Sequence, residues 1–123
     1  MKYSILFLLL ICMLYLACDS TTTGGILINY DVDYIVEGTA DSITIQYRTA
    51  DGNMVTVTNV TPNWTYSWTR KGIYRDTVSI SAQATDTVVR YLKVGILTNG
   101  TVLDTVSTTG QGTISVSLTM TLP

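Results

Sequence analysis

The feature that most constrains the fold of this chain is a strict alternation of apolar and polar side chains. It is clearest over residues 113–122, where an apolar residue at each even position follows a serine or threonine at each odd one. Successive side chains of an extended strand point to opposite faces of a sheet, so this period predicts a half-buried β-strand. A slip of one residue would bury the whole hydroxyl row, so the register of this strand is strongly specified.

Turn signals separate further segments with the same period, and no helical period appears after residue 25. Asp51-Gly52 and Asn99-Gly100 are dipeptides that favour two-residue hairpin turns. Asp86 predicts another turn, and the polar residues 108–112 predict a loop.

Eight segments are therefore predicted to be strands. They cover residues 26–36, 42–49, 54–60, 64–68, 76–84, 88–97, 101–107 and 113–122. Residues 88–97 are apolar on both faces apart from Arg90 and Lys93, which predicts a central strand covered on both sides. The spacing predicts an all-β fold, an antiparallel immunoglobulin-like β-sandwich of about seven or eight strands, although the Cys–Trp–Cys pattern of true immunoglobulin domains is absent.

The start of the chain has a different composition. Lys2 precedes an unbroken apolar run over residues 5–16. That run has the length of a secretory signal core and is short for a membrane-spanning helix of about 20 residues. Ala17 then stands directly before Cys18. A small residue before a cysteine is typical of a bacterial lipoprotein signal, although Tyr15 stands where such signals prefer leucine.

In that class of signal the cysteine thiol is acylated and begins the mature protein. We therefore predict a signal peptide over residues 1–17, lipidation of Cys18, a flexible tether over residues 18–25 and a β-sandwich domain over residues 26–123. The anchor would hold the protein in the bacterial cell envelope, at a periplasmic or cell-surface face of a membrane. The alternative is a short uncleaved transmembrane helix in which Cys18 is an idle thiol.

Composition argues against enzymatic or nucleic-acid chemistry. The chain has no histidine, the commonest general base and metal ligand, and its net charge of −2 leaves no basic footprint for nucleic acid. Asp31 and Asp33 share a strand face near Glu37 and could bind a hard cation, but a solvated polar face predicts the same residues. We predict a monomeric domain with no catalytic residue, metal site or cofactor.

Two groups of residues are candidates for a partner or ligand surface. The first is an aromatic row on one face of a predicted strand, and it could either close one end of the core or form an exposed binding strip. Its members are Trp64, Tyr66 and Trp68. The second is a basic cluster just after that row. Its members are Arg70, Lys71, Tyr74 and Arg75.

Four segments, in order, resemble the MmpS family of small membrane proteins known from mycobacteria. Residues 34–47, Tyr-Ile-Val-Glu-Gly-Thr-Ala-Asp-Ser-Ile-Thr-Ile-Gln-Tyr, resemble the opening of the family domain. Residues 59–64, Asn-Val-Thr-Pro-Asn-Trp, resemble its Asn-Val and Pro–Trp element. Residues 79–83, Ser-Ile-Ser-Ala-Gln, are similar to its Ser-Ala-Gln strand, and residues 94–102 resemble its final hairpin.

The resemblance implies an anchored β-sandwich that assists a large RND-type exporter of lipids or siderophores. The chain departs from the family in its lipoprotein-type signal and in lacking the family's paired cysteines. Two functions therefore stay open: an accessory protein that docks on an integral membrane transporter, and a stand-alone surface module that holds a small ligand or glycan on the aromatic row.

Overall fold

The computed structural model describes residues 29–71 and 77–122. The predicted signal peptide, Cys18, the tether, Tyr74 and Arg75 lie outside the described residues. Within them the chain is all-β and contains six antiparallel strands and no helix, which confirms the predicted fold class. The strands are β1 (Asn29–Gly38), β2 (Ile43–Arg48), β3 (Met54–Val60), β4 (Trp64–Lys71), β5 (Thr77–Thr98) and β6 (Thr101–Thr121).

Strand β5 organises the sheet. The strand order is β3-β2-β5-β1-β4, and β6 pairs along the length of β5. The first half of β5 pairs with β2, where Ile80 faces Tyr47. Its second half pairs with β1, where Ile96 faces Tyr34. Strand β5 therefore pairs with three strands, and β3 and β4 join the sheet through β2 and β1.

Strand β5 also bends. Ile80 and Ile96 would be about 50 Å apart in a straight strand, yet the rings of their neighbours Tyr47 and Tyr34 have centroids only 6.0 Å apart. The register with β6 shifts between Asp86 and Arg90, so that three residues of β5 face one residue of β6. Extra residues of this kind form a β-bulge, which bends the strand that carries them.

The predicted turn at Asp86 and the predicted loop over residues 108–112 were wrong. Both lie inside continuous strands, which is why the described residues hold six strands rather than seven or eight. Asp86 accepts a 2.6 Å hydrogen bond from Arg90 Nε across the bulge, and Gly112 takes the positive φ of 81°. These turn-forming residues therefore make an irregularity in a hairpin whose strands stay paired on both sides of it.

The core follows the alternation. The inward residues predicted for β2 and for the first half of β5 are buried, as are Ile114, Val116 and Leu118 of β6, whereas Met120 is half-buried. The buried set is Val32, Tyr34, Val36, Ala40, Ile43, Ile45, Tyr47, Val78, Ile80, Ala82, Ala84, Leu92, Val94, Ile96, Ile114, Val116, Leu118 and Leu122. The prediction that residues 88–97 are covered on both sides fails at Val88 and Val89, which are exposed because they lie in the bulge.

Both Asp/Asn-Gly dipeptides lie in hairpin connections, but only Asn99-Gly100 forms the predicted two-residue turn. Asn99 and Gly100, between β5 and β6, have φ angles of 48° and 78°, the left-handed conformation that a type I′ turn requires at both central residues. Asp51-Gly52 lies in a longer connection between β2 and β3, over residues 49–53, in which Gly52 alone has a positive φ and its amide donates to the carbonyl of Thr49.

Candidate functional site

The aromatic row of β4 faces the core. Trp64, Tyr66 and Trp68 pair with Val36, Tyr34 and Val32 of β1, all three of which are fully buried. Residues that pair directly across two strands lie on the same face of the sheet. The three aromatic side chains are half-buried and pack against the core. The row thus covers the edge of the core and keeps a margin exposed to solvent.

Tyr47 of β2 joins this row from across the core. Its ring centroid lies 4.5 Å from that of Tyr66 and 5.2 Å from that of Trp64. Trp64 and Tyr66 are nearly parallel, with centroids 6.2 Å apart. Aromatic pairs at such distances contribute about 0.5–1.5 kcal/mol beyond the area that they bury. These contacts hold β4 against β2, so the row has a packing role whatever else its exposed margin contacts.

A buried hydroxyl lies beneath the row. Tyr34 is fully buried and donates a 2.7 Å hydrogen bond to the carbonyl oxygen of Arg48. Burial raises the pKa of the Tyr34 hydroxyl, although the nearby Trp68 indole and the Ser79 backbone N–H partly offset this rise. The Trp68 Nε1 atom is buried and makes no regular hydrogen bond within the described residues. The Tyr34 hydrogen bond therefore connects β1 to the end of β2.

Of the predicted basic cluster, Arg70 is the one member whose side chain the structure describes. Arg70 is only 4 % exposed and pairs with Tyr30 of β1. Lys71 is the last residue of β4, and the other two members lie outside the described residues. Arg70 lies on the same face of β4 as the aromatic row, because residues 64, 66, 68 and 70 occupy every second position of the strand. The sequence spacing already predicts this shared face.

Asp31, considered from the sequence as a possible cation ligand, connects β1 to its neighbours through hydrogen bonds. Its Oδ1 atom accepts a 2.8 Å hydrogen bond from Thr69 Oγ1 of β4. Its backbone exchanges two hydrogen bonds with Asn99 at the β5–β6 turn, of 3.0 and 2.9 Å. No group of three or more acidic, cysteine or histidine residues that could hold a metal ion occurs within residues 29–71 and 77–122.

The charged side chains of β5 hold the bulge and the β1 pairing in place. Arg90 contacts the carboxylates of Asp86 and Asp41 at 2.6 and 3.3 Å, and donates to the carbonyl of Thr39. The hydrogen bond from Arg90 lowers the pKa of Asp86. Three residues further along β5, Lys93 donates a 2.7 Å hydrogen bond to Glu37, which raises the pKa of Lys93.

The outer face of β2, β5 and β6 carries a shallow polar cleft that sequence reasoning did not single out. Apart from Ala82 and Val116, its lining side chains are uncharged hydroxyls and amides. They belong to Thr44, Gln46, Ser81, Gln83, Ser115 and Ser117. The outward hydroxyl row of residues 113–121 was a signal for part of this face. The cleft itself needs the pairing of Thr44 with Gln83, and of Gln83 with Ser115.

The described part of the chain contains no helix that is long and apolar enough to cross a membrane. Neither the models of known protein families nor the curated protein sequences contain a match to this chain.

Proposed function

We propose that the protein is a lipid-anchored envelope protein with a non-catalytic accessory role. The observation that carries this proposal is the Ala17-Cys18 junction directly before a short tether and an all-β domain. The seven residues 19–25 can span at most about 25 Å. Acylated Cys18 would therefore hold the domain close enough to the membrane to contact the extramembrane part of an integral protein.

The domain on this anchor is proposed to be a two-layer, immunoglobulin-like β-sandwich. In this arrangement the first half of β5 lies in one layer with β2, and the second half lies in the other layer with β1. The contacts of Tyr47 with Tyr34 and Tyr66 support it, because they join β2, which pairs with the first half of β5, to strands on the side of the second half. The bulge between Asp86 and Arg90 supplies the place where β5 would pass from one layer to the other.

A non-catalytic role agrees with what the perturbed groups do. Active sites gather groups with shifted pKa values in a cleft. Here the two carboxyls whose pKa values are lowered are separated and engaged locally: Asp51 with Thr49 and Asn53 in a turn, Asp86 with Arg90 at the bulge. The buried Tyr34 hydroxyl is bound to a backbone carbonyl. Each shift therefore has a structural cause.

The proposed partner is an integral transporter of the RND type, as the resemblance to the MmpS family implies. The test is crosslinking in intact cells followed by affinity purification of the lipidated chain. Recovery of an RND-type exporter with the wild-type chain, and its loss with Cys18→Ser, is the expected result. Recovery of no membrane protein in repeated experiments would refute this partnership.

The anchor itself has a separate test. Cys18→Ser removes the acylated thiol, so the variant should accumulate as uncleaved precursor or leave the detergent-soluble membrane fraction. Membrane fractionation and gel mobility measure both outcomes. A variant that fractionates and migrates like wild type would show that the anchor does not depend on the Cys18 thiol.

A second function, a stand-alone surface module for neutral ligands such as glycans, is favoured by the polar cleft. Of its six polar side chains, only that of Gln46 makes a hydrogen bond to the rest of the described protein, and all six lie on paired strands. Donors and acceptors held this way can bind the hydroxyls of a sugar. Binding of the purified chain to a glycan array, lost in Gln83→Ala, would favour this function over the accessory role.

A further inference from the structure

Within the described residues, three strands pair on one side only: β3, β4 and β6. The free side of such a strand presents a row of unpaired N–H and C=O groups, which is a template for another strand. Natural proteins blunt these edges with short strands, proline, bulges or charged side chains. The three edges here differ in how far they are blunted.

The edges at β3 and β4 are protected. They are only 7 and 8 residues long. Pro62 lies between them, and cannot donate to a ladder. The asparagines on either side, Asn59 and Asn63, both have positive φ angles, which turns the backbone away from a regular strand. Strand β4 also ends in a basic residue, Lys71.

The edge at β6 is not protected. It is 21 residues long, contains no proline, lysine or arginine, and carries one charge, at Asp104. The positive φ of Gly112 interrupts it and separates a first half from a second. In the first half, every residue from Thr101 to Ser107 is exposed. An unguarded edge of this length is a candidate for pairing with another strand.

The first half of β6 also exposes apolar side chains. Val102, Leu103 and Val106 are 54 %, 36 % and 37 % exposed. Val106 pairs with the fully buried Val94 of β5, so its side chain stands on the core-facing side of the sheet without being covered. The segment over residues 101–107, termed the tip segment below, is thus open at its edge and on both faces.

We propose that the tip segment pairs with the tip segment of a second copy of this chain, in an antiparallel arrangement about a two-fold axis. A two-fold interface needs a surface that is complementary to itself. A nearly uncharged edge with apolar side chains meets that condition, because neither copy repels the other. The lone Asp104 must be offset from its copy, since like charges directly opposite each other are destabilising.

Charge is also what favours a second copy over a foreign strand. Complementary charges are one means by which an interface selects a foreign partner, and the tip segment offers only one acidic side chain for that purpose. The inference rests on this edge alone and holds whether or not the chain is lipidated or docks on a transporter. It departs from the monomer that the sequence predicts.

A cysteine scan of the full-length chain in its own membranes tests the pairing. Cysteine replaces Thr101, Leu103, Thr105 and Ser107 in turn, and the matched control scan replaces Met54, Thr56 and Thr58 on the edge of β3. Disulfides need Cα atoms within about 7 Å, and neighbouring strands lie about 4.8 Å apart. Mild oxidation should therefore link at least one tip-segment variant into a species of twice the mass, several-fold more than any control. Wild type gives the background from Cys12 and Cys18.

A charge placed on the edge provides the second measurement. Thr105→Lys should weaken self-association at least tenfold in analytical ultracentrifugation of the detergent-solubilised chain, and Thr58→Lys on β3 should not. Both positions are exposed, so circular dichroism should be unchanged for both. Links to a different protein in the scan would overturn the proposal in favour of a foreign strand. If the chain is monomeric and its tip-segment cysteines do not react with maleimide, the proposal is wrong and another part of this chain covers the edge. If the chain is monomeric and these cysteines do react, the proposal is wrong and the edge is free.

Discussion

The two halves of β6 have the same partner strand and different surroundings. In the second half, Ile114, Val116 and Leu118 are 8 %, 6 % and 7 % exposed, whereas Val102 in the first half is 54 % exposed. Both halves are hydrogen-bonded to β5, so backbone pairing does not distinguish them. What differs is whether the rest of the core covers the apolar face. Pairing extends a strand, and only packing buries its side chains.

The largest effect is expected when the same substitution is made in each half. Leu118→Ala removes a buried side chain and should lower the free energy of unfolding by about 2–5 kcal/mol. Leu103→Ala should change it by less than about 0.5 kcal/mol, as surface substitutions usually do. Urea denaturation of the two variants measures the difference. Equal losses would mean that the tip segment is packed as tightly as the rest of β6.

The next effect concerns how closely β1 approaches the second half of β5. A Cβ atom on Gly38 would lie 2.5 Å from the backbone oxygen of Tyr91, which also accepts a hydrogen bond from Thr39. Gly38→Ala should therefore cost about 1–3 kcal/mol, because the backbone must move.

Gly110→Ala in β6 is the matched control for that change. Its added Cβ would meet a methyl group of Ile114 at 2.9 Å, and a side-chain methyl can rotate or shift more easily than a backbone atom. In thermal unfolding, the Tm of Gly38→Ala should be clearly lower than the Tm of Gly110→Ala. The reverse order would show that β5 is held less tightly by β1 than by β6.

A smaller effect is expected from the polar contact that links the two halves of the sheet. Tyr34→Phe removes the hydroxyl that donates to the Arg48 carbonyl and leaves that oxygen to other donors. The loss should be about 1 kcal/mol. Spectrophotometric titration of wild type should also find two tyrosines, Tyr34 and Tyr47, whose pKa values burial raises above the usual range, and one of these two signals should disappear in the variant.

The smallest effect concerns pH and the bulge between the halves of β5. The pKa of Asp86 is lowered by Arg90, so its contribution to stability is complete above the unfolded pKa of about 3.9 and is lost as the pH falls through the lower folded value. Asp86→Asn should flatten the fall in unfolding free energy below pH 4. The pKa of Asp51 is also lowered, so part of the fall in unfolding free energy should remain in this variant. An unchanged slope would mean that the ion pair does not stabilise the bulge.

Much of the local structure could be predicted from the residues alone. Alternation identified the strands and their inward faces, as at Ile43, Ile45 and Tyr47, because side chains of a strand point to opposite sides at every step. The Asn99-Gly100 turn followed from the tolerance of both residues for positive φ. These features depend on neighbours in the chain, so the sequence carries them without knowledge of the fold.

Tertiary structure decided the rest. Asp86 and Gly112 are turn-forming residues in sequence, but the continued pairing of β5 with β6 makes their region a bulge. The half-burial of Trp64 and Tyr66 depends on Tyr47 of β2, which lies next to them only because β5 is bent. Exposure of Val102 and Val106 depends on where the core ends. Each of these outcomes is set by contacts between residues far apart in the chain, and local patterns of polarity do not encode them.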